Sequence, residues 1–368
     1  MMKRLLIVSL LLAALLVLSA QAGGAKPQPD KVKVTATPIW TLAMDWPRVA
    51  YASGKEGSTE KIRVWNLVTG ATSVVEKKYG YSIATHGTSE IAIAGKRLAW
   101  IRITGDPMGP LNHLLYTAPL GGRPKLLRYE SGTNGAGACT LDGPQIDGLV
   151  ATGTTLAVST WTASKQASVD SDQQLDLITP TGLRTIATGP DAIVSESADA
   201  GRIAVLPLPT VLSVDPEGNC TETPPASVAI YSTSGTLLET VALKQYLSPI
   251  ALSGRWLAGL RTEADQTGST RVTLAVYDAT TGAPLYTWPV PVESGKQLAV
   301  YGHLAAIEGP YRLYLVDLDT GKNVEIGPVN GYARTIAIDV HGLVYAANSR
   351  NPGKLVFVPM AKLLAMLK

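Results

Sequence analysis

Apolar and polar residues alternate along most of this chain in short runs separated by glycine-rich turns, the period-two pattern of strands with one buried face. One pattern recurs seven times: a turn residue, a basic or polar residue, then an apolar run containing alanine. Its copies are Trp46-Pro-Arg-Val-Ala-Tyr, Gly95-Lys-Arg-Leu-Ala-Trp, Gly153-Thr-Thr-Leu-Ala-Val, Gly201-Arg-Ile-Ala-Val, Gly254-Arg-Trp-Leu-Ala-Gly, Gly302-His-Leu-Ala-Ala-Ile and His341-Gly-Leu-Val-Tyr-Ala-Ala. A second piece follows most copies, an apolar strand ending in a glycine turn. It reads Ile62-Arg-Val-Trp-Asn-Leu-Val-Thr-Gly70, with counterparts ending at Gly121, Gly182, Gly235, Gly282 and Gly321. Glycine supplies the positive φ of such a turn, and Asn66, Asp278 and Asp317 are placed to accept its amides.

From Pro47 to Gly342 is 295 residues, or about 49 per unit, a period that belongs to propeller blades. The predicted fold is all-β: a single seven-bladed β-propeller of four-stranded antiparallel blades over residues 31–368. In blade five the predicted strands are Ile250–Ser253, Trp256–Arg261, Val272–Tyr277 and Leu285–Val290. The small alanines suit strands packed between neighbouring blades. Blade seven has three strands of its own, Thr335–Asp339, Leu343–Ala347 and Lys354–Val358. The alternating Lys31–Thr37 segment is expected to supply its outer strand, because the competing segment Ala361–Leu367 is rich in helix formers.

The turns Val-Trp-Asn-Leu-Val-Thr-Gly, Val-Tyr-Asp-Ala-Thr-Thr-Gly and Val-Asp-Leu-Asp-Thr-Gly resemble the third-strand ends of WD40-like, TolB-like and quinoprotein-like propellers. The resemblance spans nearly all of the chain beyond its start and implies the fold. That fold hosts enzymes, scaffolds and receptors alike, so it implies no single function.

Residues 1–22 read as a signal peptide: basic Lys3 and Arg4, an apolar Leu5–Ser19 run, and Ala20-Gln21-Ala22 as the cleavage pattern. Residues 23–30 read as a flexible leader. The expected location is therefore secreted or periplasmic, with no stable membrane span after cleavage. The chain carries 32 basic and 29 acidic residues, two of the basic ones within the signal. Near-neutral charge argues against nucleic acid as a partner. In an oxidising compartment Cys139 and Cys220 are expected to form a disulfide.

Nucleophile elbows, zinc-protease helices, phosphate loops and paired-cysteine redox motifs are absent, so no catalytic residue, metal or cofactor is expected. His86, His113, His303 and His341 are scattered singly, two of them at turns of the repeat. Asp170, Asp172 and Asp176 form an acidic cluster without the glycine of a tight calcium loop. The long predicted connections, Gly54–Glu60, Gly105–Asn112, Thr162–Gln173, Pro209–Ala226 and Thr262–Thr270, all open on one face. Binding commonly develops on such loops over a rigid scaffold. Strand ends on that face carry Arg102, Trp161, Arg261, Arg334 and Arg350, opposed by Glu90 and Glu308, which suggests an anionic partner. The expected function is an exported binding or scaffolding module for a protein, peptide or glycan. The alternative is an exported hydrolase or lyase whose site is assembled across blades.

Overall fold

The computed structural model describes residues 30–55, 59–80, 87–105, 111–131, 133–134, 141–163, 173–189, 193–207, 210–214, 220–223, 227–264, 270–292, 297–330 and 335–368. Residues 1–29, which include the segments expected to be a signal peptide and leader, lie outside them.

The chain is a seven-bladed β-propeller. Blade one runs Ile39–Asp45, Arg48–Lys55, Thr59–Asn66 and Thr72–Gly80, each strand antiparallel to the one before. Blade two is Thr88–Ala94, Arg97–Gly105, Leu111–Pro119 and Lys125–Ser131; blade three is Leu141–Thr152, Thr155–Ala163, Gln173–Ile178 and Leu183–Gly189. Blade four comprises Ile193–Asp199, Arg202–Pro207, Ser227–Ser232 and Leu237–Ala242. Blade five, with Ile250–Ser253, Trp256–Ala264, Thr270–Asp278 and Pro284–Val290, matches its predicted strands within three residues at each end. Gln297–Tyr301, Leu304–Glu308, Arg312–Asp317 and Asn323–Pro328 form blade six.

Blade seven is completed from the other end of the chain. Its Ile336–Asp339, Gly342–Asn348 and Gly353–Pro359 strands are joined by Lys31–Thr35, with Lys31 opposite Phe357 and Thr35 opposite Gly353. The closing strand stops two residues short of the predicted Thr37, because the Thr35 hydroxyl donates to the Thr37 carbonyl at 2.6 Å and bends the chain. The competing segment is a helix, Met360–Met366, whose Leu363 packs into the core between blades six and seven.

Strand parity builds the core. Alternate residues of each second strand face opposite neighbours, so Leu98 and Trp100 pack toward blade one while Ala99 and Ile101 pack toward blade three. The alanines of the repeat, among them Ala50, Ala99, Ala258 and Ala305, are fully buried where blades approach closely.

A belt of polar ties joins blade to blade on the face of the tight turns. At four seams the last residue of an inner strand accepts the turn-glycine amide of the next blade. Gly95 donates to Asp45 Oδ2 at 2.6 Å, Gly201 to Thr152 Oγ1 at 2.7 Å, Gly254 to Asp199 Oδ2 at 2.5 Å and Gly302 to Ser253 Oγ at 3.0 Å. These amides point out of their own turns and would otherwise be left unpaired at the seam. Burial raises the Asp45 carboxyl above its usual range, while the Gly95 amide and Arg48 pull it back and Asp339 pushes it up. Asp45→Ala is expected to cost about 1–3 kcal/mol by stranding that amide, read as a shift in urea midpoint. A cost under a few tenths of a kcal/mol would show that the tie does not hold the seam.

The third-strand turns follow the chemistry expected of them. Asn66 Oδ1 accepts the amides of Val68 and Thr69, Asp278 Oδ1 those of Thr280 and Thr281, and Asp317 Oδ1 those of Asp319 and Thr320. These amides hold the Asp278 carboxyl below its ordinary value.

Candidate functional site

The two faces of the ring differ in construction. On the turn face, inner strands pass to second strands through tight turns bound to the next blade. The opposite, loop face receives the connections between second and third strands and those between blades. Two additions rise there. Blade four inserts a hairpin, Thr210–Val214 paired with Cys220–Thr223, between its second and third strands. Blade three has a long inner strand whose start, Leu141 and Asp142, pairs with Thr133–Asn134.

Below the loops, buried carboxylates tie one blade to the next. Glu60 of blade one accepts from the Thr88 amide at 2.9 Å and its hydroxyl at 2.7 Å, where blade two's inner strand begins. Glu90 accepts the Leu149 amide of blade three, freed by a bulge between Asp147 and Leu149. Glu308 takes the Thr335 hydroxyl of blade seven at 2.7 and 2.9 Å. All three acids are at most 5% exposed, so they brace the seams.

Of the arginines expected on this face, the described ones stand in different surroundings. Arg102 is fully buried at the seam of blades one and two. Its guanidinium forks onto Glu76, Nη1 to Oε1 at 3.2 Å and Nη2 to Oε2 at 3.0 Å, and lies 3.8 Å from Glu60 Oε2. Desolvation raises the Glu76 carboxyl above its usual value, Arg102 opposes that rise, and Glu60 adds to it. Arg102 thus holds the scaffold together and presents no charge to solvent. Arg261 is partly exposed and paired with Glu263, its neighbour on the same strand face. Arg350 is exposed, its amide held by Asn348 Oδ1 at 3.1 Å. Trp161 sits in blade three's second strand opposite Gln145 and Gln173. Arg334 lies outside the described residues, as does Cys139. Cys220 opens the second strand of the inserted hairpin, opposite Val214.

Asp176, His113 and His341 are built into seams. Asp176 is in a third strand, 1% exposed, with Oδ2 3.4 Å from Arg128 of blade two; Asp170 and Asp172 lie outside the described residues. The His113 ring is buried with Nδ1 3.0 Å from the Ile146 carbonyl, and His341 stacks on Trp46 at 4.4 Å with rings 8° apart. The His303 carbonyl accepts the Leu318 amide at 2.7 Å; His86 lies outside the described residues. Among the described residues no three His, Cys, Asp or Glu side chains are grouped to hold a metal ion, and no helix is long and apolar enough to cross a membrane.

No protein-family model matches the chain, and no curated protein matches it in sequence. Solved structures do. The β-propeller domain of the Trilobed protease from Pyrococcus furiosus aligns with a TM-score of 0.54 at 13% identity, over 88% of this chain and 94% of that one. Pyrococcus horikoshii acylaminoacyl peptidase aligns with a TM-score of 0.53 at 14% identity, over 87% of this chain and 51% of the peptidase.

The likeness is one of fold. The Pyrococcus furiosus domain is described as an open velcro, whereas here Lys31–Thr35 shuts the ring.

Proposed function

We propose that this chain is an exported binding module whose partner, a protein, peptide or glycan, docks on the loop face. The observation that carries the reading is the asymmetry of the ring: tight, cross-tied turns on one face, an inserted hairpin and the longer connections on the other. A scaffold locked from below can vary its upper loops without loss of the fold. Export rests on the basic start, apolar run and cleavage pattern of residues 1–22. A Cys139–Cys220 disulfide belongs to this reading, since it would fasten the blade-four hairpin to the connection that enters blade three. With Arg102 committed to Glu76 and Arg261 to Glu263, any preference for an anion falls to Arg350 and Arg334.

Replacing residues 209–224 with a short glycine-serine turn tests the reading. The variant should melt like the native protein yet fail to retain the components that native protein captures from the extracytoplasmic fraction of its source. Retention of the same components, or none by the native protein, would overturn it.

A further inference from the structure

Among the described residues, the core between blades five and six opens toward the loop face. Val272, Val290, Val292 and Tyr314 belong to that core. Above them opens a cleft of about 370 Å³, with Pro291 and Val292 on one wall and Pro310, Tyr311, Arg312 and Tyr314 on the other. That volume falls within the roughly 300–1,000 Å³ of small-ligand pockets.

The wall from blade six is braced. The Gly309 amide donates to the Arg312 carbonyl at 2.9 Å, closing a tight turn between the second and third strands. The Val329 amide donates to the Tyr311 carbonyl at 2.9 Å and fixes the turn to the chain leaving blade six. Tyr311, the most exposed large apolar side chain among the described residues at 68%, is thus held out on a rigid support. Such preorganisation spares a ligand the cost of ordering the turn.

Arg312 lies beside it, with Nη1 2.8 Å from Glu325 Oε2 on blade six's outer strand. The Tyr314 hydroxyl and Glu325 both favour the charged guanidinium. The pair is well exposed on both sides, 61% and 39%, and so contributes little to stability. What it offers is a planar fork of donors next to a carboxylate with free acceptor capacity, at zero net charge.

We propose that this cleft binds a neutral pyranose residue of a glycan, stacked on Tyr311, with the Arg312–Glu325 pair bonding its vicinal hydroxyls. The proposal rests on the loop-face reading and names a site and a ligand class for it. A pyranose has a face of C–H bonds that lies flat on an aromatic ring and an edge of hydroxyls that both donate and accept. The cleft presents an exposed ring with a proline on each wall, and Arg312 in its lining carries the acceptor Glu325 bonded to it. A uronate fits worse, because its carboxylate would compete with Glu325 for Arg312 and leave two negative charges adjacent.

The test is a titration of the full chain by calorimetry with neutral trisaccharides of glucose, galactose, mannose and N-acetylglucosamine, beside glucuronate-containing counterparts. At least one neutral series should bind in preference to its uronate counterpart. Tyr311→Ala should weaken binding about five- to tenfold with an unchanged melting temperature. Glu325→Gln, which leaves Arg312 uncompensated, should turn the preference toward the uronate. The proposal is overturned if no neutral saccharide binds, if the native protein prefers uronates, or if Tyr311→Ala binds as the native protein does. Saccharide binding that survives Tyr311→Ala but is lost with the blade-four hairpin would overturn the cleft and leave the loop-face reading standing. Capture that persists without the hairpin, with Tyr311-dependent binding intact, would do the reverse.

Discussion

Arg102→Met is expected to destabilise the protein by about 3–5 kcal/mol at neutral pH, because it takes from the buried Glu76 carboxylate the guanidinium that forks onto it. The guanidinium has no exposed surface and serves Glu76 through two bonds and Glu60 at 3.8 Å. Desolvation holds the Glu76 carboxyl above its ordinary value of 4.5, and the nearby Glu60 adds to the rise. An acid whose folded-state pKa is raised contributes stability that is full below the unfolded value and lost as pH rises through the folded one. Acid therefore relieves the defect, and the penalty of Arg102→Met should shrink as pH falls toward 4.5. Glu76→Gln keeps the shape and one of the two acceptors while removing the charge that burial disfavours. It should be at least as stable as the native protein at neutral pH, with the difference fading in acid. Urea denaturation of the three proteins at neutral and mildly acid pH measures this. A penalty for Arg102→Met that stays constant with pH would show that the arginine's packing, not its charge, is what the seam needs.

The fate of Arg102 illustrates which part of the site was legible. Its position at the end of a second strand was readable from the repeat, and so was its parity with Leu98 and Trp100, both buried toward blade one. Its partners were not. Glu60 and Glu76 come from the third and outer strands of the preceding blade, and their meeting depends on ladder register and on how adjacent blades mesh. Arg261 and Glu263 were closer to readable, since residues two apart in a strand share a face. The cleft residues Tyr311 and Arg312 left a weaker trace: the Gly-Pro-Tyr-Arg turn is short, so loop length does not mark it.

The fold was far more legible, because its determinants are local and repeated. Turn glycines, alternation and small alanines recur every blade, so errors in one copy are corrected by the others. The belt of inter-blade ties shows where repetition stops helping. Asp45, Thr152, Asp199 and Ser253 each precede a turn and bind the next blade. Blades two and six place Ala94 and Tyr301 there instead, and Asp339 turns back on the amides of His341 and Gly342. A function carried by four of seven copies does not stand out as a pattern in the sequence.

Removing residues 1–37 should cost about 5 kcal/mol relative to the chain with Lys31–Thr35 in place, from roughly five ladder hydrogen bonds at about 1 kcal/mol net each. The estimate rests on the ladder because the closing strand buries little apolar surface: Val32 and Val34 are 51% and 62% exposed. Lys31 adds a bond from Nζ to the Leu67 carbonyl of blade one, which spans the seam the strand closes. Truncation would also bare the Gly353–Pro359 edge and invite association through it. Gly353→Ala tests the same contact without deletion. A Cβ at that position would sit 2.3 Å from Thr35 Oγ1 and 2.7 Å from the Thr37 carbonyl, so the substitution must push the closing strand away. The two changes should therefore be strongly non-additive: Gly353→Ala should be costly in the full chain and much milder once Thr35 and Thr37 are gone. Thermal melts of the four proteins complete the cycle. Equal costs for Gly353→Ala in both backgrounds would mean that the closing strand is not what the glycine accommodates.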